Sequence, residues 1–181
     1  VRLEFREQEW LPALEWLAGK LKLNLDWRTL PEGNFNLHSA KPYTIAEAED
    51  LINMQLLARG FTLLKRGEVL RLEPLKEIDI TLVPRVEPET LVDLPKHSIV
   101  RVSFPLNSML AADAATDLKP LLSPYGSMHP LVAANRLEVM DAVVNLREVH
   151  RLLSTTDSGQ GKRQHVLEIK VKNRKAKEIA P

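Results

Sequence analysis

Two hydrophobic rhythms divide this chain between them. Leu3 and Phe5 alternate with Arg2, Glu4 and Arg6, the two-residue period of a strand with one buried face. Trp10, Leu14, Leu17 and Leu21 then recur at i, i+4, i+7 and i+11, which predicts a helix with one apolar stripe. Pro12 falls in its first turn, where a missing N–H does no harm. Leu23, Leu25 and Trp27 alternate with Asn24, Asp26 and Arg28 in a second strand, which Pro31-Glu32-Gly33 ends, and Phe35 and Leu37 mark a short third one. Thr44-Ile45-Ala46-Glu47 is a capping box, with Ile45, Ala48, Leu51, Ile52 and Leu56 as the inward stripe of the helix it opens. Gly60 is placed to close that helix in the left-handed conformation. Phe61 to Leu64 and Val69 to Leu72 flank Lys65-Arg66-Gly67-Glu68, a hairpin with glycine at its turn.

Residues 1–75 therefore read as a first module, two helices on a small mixed sheet. Pro74, Pro84, Pro88 and Pro95 punctuate residues 74–97, with Ile80, Leu82, Leu91 and Leu94 between them, and residues 76–97 read as a linker. This is a stiff connector with apolar anchors, so docked modules are expected. Residues 98–155 form a second module. A strand over Ile99–Leu106 leads to a helix over Leu110–Leu122 and the turn Ser123-Pro124-Tyr125-Gly126. Strands Met128–Val132 and Leu137–Met140 follow, then a helix with Leu146, Val149 and Leu153 on one face, giving the order βαββα. Residues 156–181 read as a Gly/Ser linker and the start of a further repeat. There Leu167-Glu168-Ile169-Lys170-Val171-Lys172 repeats the alternation of Val102-Ser103-Phe104-Pro105-Leu106-Asn107. The expected class is α+β in two small modules, and repetition of this kind points to stacked units more than to one catalytic cleft.

Composition changes this picture little. Of 181 residues, 44% are hydrophobic and only 5% aromatic, ordinary for a globular chain, and no apolar run approaches the ~18–20 residues of a membrane span. The sequence starts at Val1 inside a strand with no Met or basic leader, so we expect a cut start from which any export signal has been removed. The absence of cysteine excludes disulfides, thiolate zinc sites and a cysteine nucleophile. Net charge is +1, yet residues 160–181 alone hold 7 basic and 2 acidic residues, leaving the body slightly acidic. That body offers no electrostatic footprint for nucleic acid.

Chemistry is sparse. His38, His97, His129, His150 and His165 are scattered and none joins a metal-ligand spacing such as HExxH, so they read as surface or cap residues. No nucleophile elbow, GxGxxG or Walker loop occurs. Asp113 and Asp117 share a helix face at i, i+4, opposite the Ala114/Leu118 stripe and so in water, where paired carboxylates gain no useful separation of acidity. Catalytic, cofactor and metal residues are therefore all expected to be absent.

The motifs carry a resemblance. Lys41-Pro42-Tyr43-Thr44-Ile45-Ala46-Glu47-Ala48 through Gly60-Phe61-Thr62-Leu63, then Val69-Leu70-Arg71-Leu72, resembles the first periplasmic, signalling-type domain of bacterial secretins. Phe104-Pro105-Leu106-Asn107, then Leu118-Lys119-Pro120-Leu121-Leu122-Ser123-Pro124-Tyr125-Gly126, resembles the KH-like secretin domain that follows, a match continued by Asn135-Arg136-Leu137-Glu138-Val139-Met140-Asp141 and Asn145-Leu146-Arg147. The resemblance implies the periplasmic portion of an outer-membrane channel for protein secretion or pilus assembly. It implies a homo-oligomeric ring in the full-length protein, an inner-membrane secretion component and secreted cargo as partners, and membrane contact only through a C-terminal barrel. The KH-like module raises an alternative, an RNA-binding protein with tandem KH modules, but the backbone-clamping GXXG loop is nowhere in the chain. An enzyme ranks behind both.

Candidate contact residues follow from exposure. At 100° per residue Trp16 points roughly 140–160° from the stripe centred on Trp10, Leu14, Leu17 and Leu21, and a solvent-facing tryptophan is a favoured interface anchor, here for another subunit or a partner. The strand bearing Arg2, Glu4 and Arg6 offers a polar edge for strand addition. In the second module Asp113, Asp117, Lys119, Arg136, Glu138 and Arg147 present mixed charges able to set register between identical neighbours.

Overall fold

A computed structural model describes residues 1–157; the expected further repeat and its basic segment lie outside them. The N-terminal part runs β1 (Glu4–Gln8), α1 (Trp10–Leu21), β2 (Asn24–Trp27), β3 (Phe35–His38), α2 (Ile45–Leu57), β4 (Phe61–Arg66) and β5 (Val69–Pro74). After it come β6 (Arg85–Val86), β7 (Ile99–Pro105), α3 (Ala111–Leu118), β8 (Ser127–Leu131), β9 (Arg136–Ala142) and α4 (Val143–Thr156). The α+β class and the βαββα order of the second half hold.

The five N-terminal strands do not form one sheet as the alternation alone implied. β1 and β3 pair antiparallel as a separate ribbon, while β2, β5 and β4 form a mixed three-stranded sheet with β2 parallel to β5. Period two reports which face of a strand is buried and says nothing of its neighbour. Both sheets share one core with the helices: Trp10, Leu14, Leu17, Phe35, Ile52, Leu56, Leu70 and Leu72 are each 0–2% exposed. Burying side chains of this size contributes about 1.5–3 kcal/mol apiece before chain entropy is charged against it.

Local signals act as their chemistry requires. Thr44 Oγ1 accepts the Glu47 N–H at 3.2 Å and Glu47 Oε2 accepts the Thr44 N–H at 2.8 Å, which pulls the glutamate's pKa below the usual carboxylate range. Gly60 and Gly67 take φ of +81° and +57° at the helix end and the hairpin turn. A feature no pattern announced is Glu7 at φ +45°, a bulge between Phe5 and Gln8 whose N–H donates to Asn36 Oδ1.

The sheet of the second half has the order β6-β7-β9-β8, antiparallel apart from β6, which runs parallel to β7. Its core takes Val102 and Phe104 from β7, Leu137 and Val139 from β9, Ala114 from α3, Leu146, Val149 and Leu153 from α4, and Leu91 from the connector. A third cluster lies between the halves, built of Leu64, Leu75, Val83, Ile99, Met140 and Ala142. Among the described residues no helix is long and apolar enough to cross a membrane.

Candidate interaction surfaces

The first surface is the flank formed by β1 and α1. Arg2, Glu4 and Arg6 are exposed, and among the described strands β1 pairs with β3 alone, with Glu4 opposite His38. Trp16 corrects the helical-wheel expectation: it is half-buried, its ring edge-on to Phe5 with centroids 5.5 Å apart. The wheel assumed one packing partner for α1, whereas the β1–β3 ribbon covers a second side of it. The same contact places Trp16 against Phe5, whose side chain alternates along β1 with those of Glu4 and Arg6 and so lies on the opposite face of the strand. The bulge at Glu7 interrupts the regular edge, a device that limits indiscriminate strand pairing.

On the second half the six charged candidates separate into two kinds. Asp113, Asp117 and Lys119 are exposed on and just beyond α3. The other three point into their own sheet and connector. Arg136 donates from Nε to Ser103 Oγ at 2.8 Å and from Nη2 to the Ser103 carbonyl at 3.0 Å. Glu138 lies 3.4 Å from Arg85 across the sheet. Arg147 donates to the carbonyls of Leu91, Val92 and Leu94 at 2.8, 3.0 and 2.7 Å. An arginine fork suits clustered carbonyls, and sequence spacing could not show that a loop more than fifty residues away supplies them.

Buried carboxylates fasten loops. Asp141, fully buried, accepts from Ser123 N–H and Oγ–H and from Ala142 N–H, holding the Ser123–Gly126 turn. Asp157, 7% exposed, accepts the N–H groups of Asn107, Ser108 and Met109 ahead of α3. Desolvation pushes its pKa up, and the donors at Ser108, Asn107 and Met109 together outweigh that and hold it below the ordinary carboxylate range. Neither carboxylate was singled out by the sequence, since each reads as one more polar residue beside a helix or strand. His97, grouped there with the surface histidines, instead meets Asp50 of α2, its Nδ1 3.0 Å from Asp50 Oδ2. Among the described residues no group of His, Asp and Glu could hold a metal ion. A groove of about 340 Å³ over the outer face of the three-stranded sheet is lined by Asn24, Asp26, Leu64, Arg66, Val69, Arg71 and Leu82.

Neither a protein-family model nor a curated protein matches the chain. Solved structures do. A chain of the Klebsiella pneumoniae type II secretion system outer membrane complex, which comprises PulD, PulS and the PulC HR domain, superposes with a TM-score of 0.72 at 15% identity, over 85% of this chain and 26% of that one. The N-terminal domain of the secretin XcpQ from Pseudomonas aeruginosa matches over 87% of this chain and 65% of its own at 13% identity, with a TM-score of 0.38. The competence pilus secretin PilQ of V. cholerae matches at 19% identity and a TM-score of 0.35, over 86% of this chain and 38% of its own. At the latter two scores the superposition adds nothing, so the comparison rests on the first, of which this chain spans about a quarter. The fold of this chain is that of secretin N-terminal domains.

Proposed function

We propose that this chain is the periplasmic N-terminal region of an outer-membrane secretin, acting without catalysis as a ring-forming vestibule and as a docking platform for an inner-membrane secretion component and secreted cargo. The observation that carries the reading is the superposition of 85% of the chain on the Klebsiella complex, whose named parts include PulS and the PulC HR domain. Support also comes from the secretin-like motifs at residues 41–72 and 104–147. On this reading membrane contact falls to a C-terminal barrel, and Arg2, Glu4, Arg6 and Trp16, on the two faces of β1, receive the inner-membrane partner. Asp113, Asp117 and Lys119 face the neighbouring subunit, while Arg136, Glu138 and Arg147 support that face from behind.

The test uses the full-length protein in native membranes. These 181 residues contain no cysteine, so single cysteines at Asp113, Asp117 or Lys119 can be bridged by a bifunctional maleimide. A cross-linked dimer from at least one position is expected, since one thiol per subunit can be bridged only once. Monomer alone from all three positions would overturn the ring assignment.

A further inference from the structure

We infer that α2 latches the two halves of the chain into one rigid body by gripping the main chain of His97. Two side chains, one helical turn apart on α2, take both backbone polar groups of that residue. Asp50 Oδ1 accepts the His97 N–H at 2.8 Å, and Asn53 Nδ2 donates to the His97 carbonyl at 2.6 Å. Asn53 is 4% exposed and committed on its other side as well. Its Oδ1 accepts the Leu63 N–H at 2.8 Å and the Thr62 hydroxyl at 3.2 Å, so one amide joins α2, β4 and the approach to β7.

Two further observations keep the grip from being a local tether. The apolar cluster between the halves draws Leu64 from β4, Leu75 from just beyond β5, Val83 from the connector, Ile99 from β7, and Met140 and Ala142 from β9, each no more than 7% exposed. The connector is pinned along its length. Leu75 N–H meets the Gly60 carbonyl at 2.8 Å and Arg101 N–H the Pro84 carbonyl at 2.8 Å, Leu91 enters the second core, and Val144 N–H meets the Lys96 carbonyl at 2.9 Å. A hinge needs a few residues free to change φ and ψ, and within the longest gap, from Leu75 to Pro84, Ile78 and Leu82 pack against the cluster between the halves. The orientation of the second half is thereby coupled to the seating of α2 in the first core.

The latch reads backbone, which separates it from an ordinary side-chain ion pair. His97→Ala removes the imidazole contact to Asp50 yet leaves both main-chain bonds, whereas Asp50→Ala removes the N–H acceptor. Asp50 is the better probe than Asn53 because no hydrogen bond ties it to the interior of the first core.

In the 181-residue chain, spin labels at Glu15→Cys on α1 and Ala112→Cys on α3, both exposed, report the distance between halves by pulsed electron resonance. The parent chain and His97→Ala should each give one narrow distribution, and Asp50→Ala a distribution at least twice as wide. Amide exchange supplies the second readout: Asp50→Ala should speed exchange at His97 at least tenfold while Leu14 and Leu70, in the first core, keep their protection. A broad distribution in the parent, an unchanged one in Asp50→Ala, or broadening by His97→Ala would each overturn the latch. So would equal acceleration at Leu14, Leu70 and His97, which would make Asp50 a support of the first core instead.

Discussion

Replacing Arg147 separates a structural clamp from a subunit contact. Its guanidinium holds the carbonyls of Leu91, Val92 and Leu94, and the loop so held carries Leu91, 1% exposed, into the second core. In Arg147→Ala the Val92 carbonyl, which lies at the exposed end of the fork, regains water. The Leu91 and Leu94 carbonyls are partly buried and lose their donors, at about 1 kcal/mol each. Loosening of Leu91 adds a fraction of its burial energy, so the total is about 2–3 kcal/mol, or roughly 5–10 °C in Tm for a cooperative unit of this size. Arg147→Lys retains the charge but not the fork and should lose about half as much. Urea and thermal unfolding of the isolated chain, followed by circular dichroism, measure both, with Asp113→Ala as a solvent-facing control expected within about 0.5 kcal/mol of the parent. An Arg147→Ala chain as stable as that control would refute the clamp, and a defect appearing only in assembly would return Arg147 to the subunit interface.

Two other outcomes follow from buried carboxylates. Asp157 has its pKa depressed in the fold, so the stability it contributes is present above the unfolded value of about 3.9 and is lost as pH falls through the folded one. Asp157→Asn should therefore cost about 1.5–3 kcal/mol at pH 7 and progressively less in a urea-melt series taken toward pH 3, and a pH-independent difference would contradict the assignment. A Cβ at Gly126 would sit 2.6 Å from Asp141 Oδ2 and 3.0 Å from Leu122 Cβ. Gly126→Ala should thus destabilise by about 1–3 kcal/mol, and an unchanged urea midpoint would show that the Ser123–Gly126 turn can give way.

What could be read from the chain was whatever physics keeps local. The α1 stripe, the Thr44–Glu47 box, Gly60 and the Gly67 turn each rest on residues within a few positions of one another, and all of them hold. β6 is two residues long and shows no period, so its pairing with β7 was invisible. The αL residues Glu7, Lys22 and Asn135 are not glycines, and only Asn135, in its turn, belongs to a type that tolerates that conformation readily. Charged residues were the hardest. Arg136 and Arg147 look like Asp113 and Lys119 in sequence, and only the fold shows which have carbonyls within reach. The exposure of Trp16 was overestimated for a related reason, since a wheel drawn for one helix cannot show a ribbon arriving from the other side.

The parallel pairing of Arg85–Val86 with Arg101–Val102 bears on how this polypeptide can be dissected. A piece cut to begin at Ser98 would keep every helix of the second half but leave one margin of β7 bare, with its amides and carbonyls open and the slot of Leu91 empty. Such a piece would tend to clump through that margin, and one starting a few residues ahead of Pro84 would bring its own protective selvage with it.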